Sequence, residues 1–184
     1  MTRDELLEKL MKSYAGSYIE RFETPGTDGL VAKAHFHVTE ESYMISQKAK
    51  MWSVESDEYV WFFSVPHLTD ALCEQAIRQA YDEGMAKIDP NGKNHMVTRL
   101  CAIFLHDGAD EAAEERVRKC RLYKSFQFSL KGWMEFHAVA VDLGKESVVN
   151  NGYGRETAKF LKNLLHPVKR RGNRLWNIFK EMLH

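Results

Sequence analysis

Two histidines lie in a segment whose pattern predicts a strand. Apolar and polar residues alternate between positions 31 and 38, as in a strand that is buried on one face. His35 and His37 are two residues apart, so both side chains project from the polar face. Two imidazoles at this spacing can share a metal ion if a third ligand reaches them. The alternative is a solvent-facing strand surface, since nothing in the sequence brings a third ligand there.

A second candidate metal site depends on the order of the predicted elements. The order helix, three strands, helix, strand matches the core of the restriction-endonuclease-like fold. Enzymes with that fold hold Mg²⁺ with an acidic residue on the second strand and a Glu-x-Lys on the third. The candidate ligands are Glu20, Glu23, Asp57 and Glu58. Because the predicted third strand has no lysine, the alternative is that these carboxylates belong to a turn and a solvated helix face.

A glycine-containing turn precedes a predicted helix near residue 155. Gly152 and Gly154 form a Gly-x-Gly sequence, and Arg155 and Lys159 follow at the start of the helix. Backbone amides at a helix N-terminus can hold a phosphate, so these four residues are a candidate anion site. Neither a dinucleotide fingerprint nor a Walker lysine is present. The alternative is that the glycines are turn residues with positive φ angles.

The end of the chain carries a separate basic segment. Residues 1–158 hold 19 basic and 25 acidic side chains, whereas residues 159–184 hold seven basic side chains and one acidic side chain. The candidate partner surface consists of Lys169, Arg170, Arg171, Arg174, Trp176 and Phe179. This segment docks on the acidic body, binds an anionic surface such as nucleic acid or a membrane face, or contacts another protein. Charge complementarity favours docking on the body.

Periodicity and turn residues predict the elements that would position these side chains. Thr2 and Glu5 fit a capping box at the start of a first helix. We predict helices at 3 to about 22, 69–88, 109–121, 155–165 and 173–183. We predict strands at 31–38, 43–52, 59–65, 96–105, 126–130 and 134–143, with a short return at 147–149. The strand at 59–65 is apolar on both faces and is therefore expected at the centre of the sheet.

These elements predict a single α+β (or α/β) domain. The expected order is α-β-β-β-α-β-α-β-β-α-α, around a mixed, mainly antiparallel sheet of five to six strands. The domain should cover residues 1–165, and residues 166–184 should form a basic connector and an amphipathic C-terminal helix.

Composition excludes several classes of protein. The chain has no run of 18 apolar residues, so no transmembrane helix is expected. The charged N-terminus shows no signal peptide. The three cysteines are widely spaced and include no Cys-x-x-Cys pair, which favours free thiols in a reducing cytoplasm. We expect no cofactor.

Three segments resemble a family of small uncharacterised bacterial proteins without an assigned activity. They are Asp57–Phe63, Tyr123–Trp133 and Val141–Leu143. The resemblance covers about residues 5–165 and implies a bacterial cytosolic protein, but it implies no catalytic residue.

The leading hypothesis is a non-enzymatic interaction or regulatory domain that has a protein partner or self-associates. The first alternative is a nucleic-acid-binding protein with the restriction-endonuclease-like fold and a divergent or inactive metal site. The second is a small-molecule enzyme whose site is assembled from residues far apart in sequence.

Overall fold

The structure, a computed structural model, describes residues 1–13, 18–39, 55–89 and 95–166. The side chains of residues 37–39, 55, 56, 95 and 96 are not described. Within these residues the chain forms four helices and seven strands. They are α1 (Arg3–Ser13), β1 (Tyr18–Arg21), β2 (Leu30–Thr39), β3 (Glu55–Val65), α2 (Asp70–Met85), β4 (His95–His106), α3 (Glu111–Lys119), β5 (Tyr123–Ser125), β6 (Trp133–Asp142), β7 (Ser147–Asn150) and α4 (Arg155–Leu165).

All seven strands belong to one mixed sheet. Its order is β1-β2-β3-β4-β6-β5, and β7 also pairs with β6. The strands β3, β4 and β6 run parallel to one another, and the other four pairings are antiparallel. The three parallel strands all begin at one end of the sheet and all finish at the other end. We call the end of the sheet where they begin the amino edge, and the end where they finish the carboxyl edge.

Local sequence signals set several helix boundaries. The Glu5 amide donates to Thr2 Oγ1 (3.1 Å) and the Thr2 amide donates to Glu5 Oε2 (2.9 Å), so the predicted capping box is confirmed. The Thr69 side chain accepts a hydrogen bond from the Leu72 amide at the start of α2. These caps satisfy backbone amides that have no partner within the helix.

Helices cover both faces of the sheet. Alternate residues of β3 divide between two cores: Trp61 and Phe63 face α2 and α3, while Val60 and Phe62 face α1 and α4. All four side chains are buried, which confirms that this strand is central. We call these two surfaces the α2/α3 face and the α1/α4 face. None of the helices in the described residues is long and apolar enough to cross a membrane.

The predicted single α+β domain and the order of its elements are confirmed, but some boundaries differ. The first helix ends at Ser13 and not near residue 22, because residues 18–21 pair with β2 as an edge strand. The sheet therefore has seven strands where we predicted five or six. Residues 126–130 form a turn and not a strand. The predicted strand at 43–52 and the predicted helix at 173–183 lie outside the described residues.

Candidate functional site

The structure places His35 against two side chains of β3 on the α2/α3 face. His35 Nε2 lies 2.8 Å from Asp57 Oδ1, and the His35 ring stacks on Tyr59 with 4.2 Å between ring centroids. The His37 backbone pairs with Asp57 across the two strands, but its side chain is not described. The Asp57 carboxylate and the Tyr59 ring therefore fix the orientation of the His35 imidazole on the surface of the sheet.

The four acidic candidates for a nuclease-like site do not converge. Because side chains alternate along a strand, Asp57 lies on the α2/α3 face and Glu58 on the α1/α4 face. Glu20 lies on the edge strand β1, which β2 separates from β3, and Glu23 follows β1 in sequence. Both side chains are exposed. Among the described residues, no group of three or more His, Cys, Asp or Glu side chains could hold a metal ion. The structure therefore does not bring these four carboxylates together, and a metal site that uses them stays a prediction.

A buried asparagine organises the turn before α4. Asn151 Oδ1 accepts hydrogen bonds from the amides of Ala138 (3.1 Å) and Gly154 (2.9 Å). Its Nδ2 donates to the carbonyl oxygens of Cys120 (3.0 Å) and Phe136 (2.7 Å). All four hydrogen-bonding positions of this amide are thus used within the protein.

This arrangement leaves the predicted anion site incomplete. The Gly154 amide is already bonded to Asn151, and Gly154 has a φ of −78°, so the expected positive φ is absent. Instead, a Cβ atom at Gly154 would lie 2.9 Å from a methyl group of Val139. Gly152 has open space around it, and Arg155 and Lys159 are exposed. The glycine at 154 is explained by close packing and needs no ligand.

The partner surface predicted in the basic tail belongs to a part of the chain that the structure does not describe. Lys169, Arg170, Arg171, Arg174, Trp176 and Phe179 lie outside the described residues. Whether this segment docks on the body stays a prediction.

A buried polar pair lies at the carboxyl edge. His106 and Asp142 are register partners at the ends of β4 and β6, and their exposed fractions are 1% and 2%. Lys145 Nζ lies 3.5 Å from Asp142 Oδ2 and 3.5 Å from Glu114 Oε1. The sequence contains a signal for this pair, because two apolar strands each end in a titratable residue. That signal predicts neighbouring side chains only if the two strands are known to be adjacent and parallel.

A row of alternating charges crosses the α1/α4 face at the amino edge. Glu58, Arg99 and Glu135 are register partners on β3, β4 and β6. Burial raises the pKa of Glu58, and Arg99 partly offsets that effect. The next residue on this face of β6, His137, has Nδ1 3.5 Å from Thr157 Oγ1 and Nε2 3.6 Å from Glu135 Oε2. Burial lowers the pKa of His137, so this imidazole is neutral near pH 7.

Next to this row of charges, on the same face of the sheet, a thiol lies beside an imidazole. Cys101 and His137 are register partners on β4 and β6, which is a pairing that cysteine hydrolases use. However, the Cys101 side chain is fully buried, and burial raises its pKa well above the usual range for a thiol. A nucleophilic cysteine needs a lowered pKa and access to substrate. Cys101 is therefore a core residue.

A groove of about 630 Å³ lies between α2 and α3. Arg116 and Asp70, which both line this groove, form a two-point ion pair. Arg116 Nε and Nη2 donate to Asp70 Oδ1 (2.5 Å) and Oδ2 (2.7 Å). These hydrogen bonds hold the pKa of Asp70 below its usual range. The apolar part of the lining consists of Ile77, Tyr81, Ala112 and Leu122. The groove can receive an apolar group, but most of its charged side chains are paired with each other.

The hairpin that joins β5 to β6 exposes two large apolar side chains. Phe128 and Leu130 are 96% and 84% exposed, although the alternation of residues 126–130 had predicted a strand. Phe126, by contrast, is 8% exposed and packs in the core of the α2/α3 face. We call residues 126–132 the hairpin tip.

Three consecutive residues of the hairpin tip have left-handed backbone conformations. The φ angles of Gln127, Phe128 and Ser129 are 47°, 55° and 68°. For a residue other than glycine this region costs about 1–2 kcal/mol. The tip closes on itself, since the Phe126 amide donates to the Gly132 carbonyl (3.0 Å) and the Lys131 amide to the Phe126 carbonyl (3.2 Å). The hairpin tip therefore combines a strained backbone with two highly exposed apolar side chains. No sequence motif predicts this combination.

Comparisons with known proteins place the chain in a family without giving it an activity. No curated protein and no solved structure matches the chain. The resemblance over about residues 5–165 had predicted a family with no assigned activity. A family model matches residues 2–163, so the chain belongs to the family described as a domain of unknown function, DUF8052.

Proposed function

We propose that this protein is a non-enzymatic interaction domain that docks its hairpin tip on a partner surface. The observation that carries the proposal is the 96% exposure of Phe128 beside the 84% exposure of Leu130. Single exposed apolar residues are ordinary, but two large ones within three residues of one turn can form a binding surface.

The backbone of the hairpin tip supports the same function. Left-handed residues other than glycine persist only where the surrounding structure holds them, and they cluster at functional sites. Phe126 packs in the core at one end of the turn. In β5, which leads into the turn, the Tyr123 ring stacks on Tyr153 with 6.3 Å between ring centroids. The two apolar side chains are therefore held outward by an ordered turn, which reduces the entropy that binding must overcome.

The titratable clusters at the two edges offer a partner much less surface. His106, Asp142 and His137 are each less than one-tenth exposed. Their burial supports a structural role for these groups and favours the hairpin tip as the functional surface.

The cysteines support the proposed cytoplasmic location. Cys73 and Cys101 are buried free thiols and Cys120 is a partly buried one, as expected in a reducing compartment. The bacterial origin stays a prediction from the resemblance.

Site-specific photocrosslinking tests the proposal. A benzophenone amino acid in place of Phe128 should form adducts in the cells that produce the protein. The same group in place of Phe160, which is 37% exposed on α4, is the matched control. An adduct at position 128 of whatever chemical class, and none at 160, is the expected result. Absence of any adduct at 128 would overturn the proposed function.

A further inference from the structure

We propose that the hairpin tip binds the surface of an anionic lipid bilayer. This inference rests on the proposed function and names the partner of that same surface. It depends on three features: the size of the apolar tip, the charges beside it, and the charge of the rest of the domain.

The stretch of chain that contains the hairpin tip is basic, although Glu135 of β6 lies opposite Tyr123 of β5 at the base of the hairpin. From residue 116 to residue 134 the chain has six basic residues and no acidic one. Arg116, Arg118 and Lys119 are paired with carboxylates of α2 or α3. Arg121 and Lys124 are exposed and have no ion pair among the described residues. Basic side chains of this kind are attracted to the negative surface of a bilayer that contains anionic lipids.

The apolar part of the tip is small, as in a weak and reversible membrane contact. Phe128 and Leu130 are both exposed in a turn that closes on itself, so each can enter the bilayer interface without unfolding of the hairpin. A stable protein interface covers about 800 Å² on each partner, far more than two side chains provide. A nucleic-acid contact would use stacking rings, and Leu130 has none.

The charge of the remaining domain favours one orientation on the bilayer. Residues 1–158 carry a net excess of six acidic residues in spite of the basic stretch. Within residues 1–158 an anionic surface therefore repels the acidic majority and attracts the basic stretch at the hairpin. Residues 159–184 carry a net excess of six basic residues, so the test includes a variant of that segment.

Vesicle flotation with the full chain tests this inference. The protein should float with vesicles of phosphatidylcholine and phosphatidylserine and should stay unbound with phosphatidylcholine alone. Binding should weaken as salt is added, because added ions screen the charges. The double variant Phe128→Ser/Leu130→Ser should lose about tenfold or more in affinity, since both apolar side chains lose their burial.

Matched variants separate the hairpin from other surfaces. Tyr18→Ser removes a side chain that is 72% exposed on β1 and should bind vesicles as the wild type does. Arg121→Gln/Lys124→Gln should weaken binding to anionic vesicles, whereas Lys162→Gln on exposed α4 should not. Arg170→Gln/Arg171→Gln/Arg174→Gln removes charge from the tail. Circular dichroism and Tm should match the wild type for each variant.

Each other outcome decides between the two proposals. Wild-type vesicle binding by the double hairpin variant, or loss of binding only in the tail variant, would overturn the lipid proposal. Hairpin-dependent binding to an oligonucleotide, or hairpin-dependent self-association without vesicle binding, would also overturn it and would leave the interaction function in place. If Phe128 forms no crosslink and the protein binds no vesicle, both proposals are wrong.

Discussion

His106 and Asp142 face each other across the parallel strands β4 and β6, and both are buried at the point where the strands end. Burial lowers the pKa of His106, while the negative charges of Asp142 and Glu114 act in the opposite direction. Lys145 approaches both carboxylates and balances part of their charge. The imidazole is therefore neutral near pH 7, inside a cluster that would accept a proton only at lower pH.

This pair predicts that acid weakens the fold before carboxylates titrate. The pKa of His106 lies lower in the folded chain than in the unfolded chain, where it is about 6.5. The unfolded state then binds more protons between these two values, so the free energy of unfolding falls as pH drops below about 6.5. Urea unfolding between about pH 7.5 and pH 5.5 measures this slope. His137, whose pKa burial also lowers, should add to it.

The variant His106→Gln should flatten the pH dependence without abolishing it, because His137 remains. Asn163→Gln, which removes no titratable group from an exposed position of α4, is the control and should leave the slope unchanged. Equal slopes for the His106 variant and the wild type would show that this imidazole does not titrate on unfolding.

Elements with local signals could be predicted from the sequence. The helix α4 was predicted at 155–165 and has those bounds, since its apolar residues recur at helical spacing. The central position of β3 followed from apolar residues on both faces, because only a covered strand can bury both. Thr2 and Thr69 marked the starts of α1 and α2 through their side-chain hydrogen bonds.

Features that depend on backbone conformation or topology could not be predicted. Tyr14, Tyr18 and Phe22 continue a helical spacing beyond residue 13, yet Tyr18–Arg21 pair with β2. Pairing with a neighbouring strand outweighed the local pattern there. In the hairpin tip, the alternation of residues 126–130 is that of a strand, and positive φ angles at residues other than glycine leave no trace in sequence. His106 and Asp142 become neighbours only through the parallel pairing of β4 and β6.

Gly84 is predicted to be required by packing against β3 and β4. A Cβ atom there would lie 2.6 Å from both terminal methyl groups of Leu100 and 3.0 Å from the Trp61 ring, and both side chains are buried. We expect Gly84→Ala to lower the free energy of unfolding by about 1–3 kcal/mol, although alanine favours a helix. Gly152→Ala, in open space, should change it by less than about 0.5 kcal/mol. Equal urea midpoints for the two variants would contradict this account.

Asn151 is predicted to stabilise the junction of β6, β7 and α4. Its side chain makes four hydrogen bonds and is 1% exposed. Asn151→Ala should lower the free energy of unfolding by about 2–4 kcal/mol, because buried backbone groups lose their partners. Asn163→Ala, at an exposed position of α4, is the control and should have little effect. Thermal unfolding of the two variants and the wild type measures the difference.

The reactivity of the thiols should follow their burial. Burial raises the pKa of Cys73 to about 12 and also raises that of Cys120, which is only partly buried. Cys73 and Cys101 should resist a thiol reagent in the folded protein, and Cys120 should react slowly. All three should react rapidly in urea. Mass spectrometry of the labelled sites checks this order, and fast labelling of Cys101 under native conditions would show that it is not a core residue.

Alternate residues of the hairpin should contribute differently to stability. Phe126 is 8% exposed and packs with the core of the α2/α3 face, so Phe126→Ala should lower the free energy of unfolding by about 3–5 kcal/mol. Phe128→Ser and Leu130→Ser remove exposed side chains and should each change it by less than about 0.5 kcal/mol. Urea unfolding of the three variants measures the contrast. A large loss of stability in Phe128→Ser would mean that this ring packs on the protein and is not held outward for a partner.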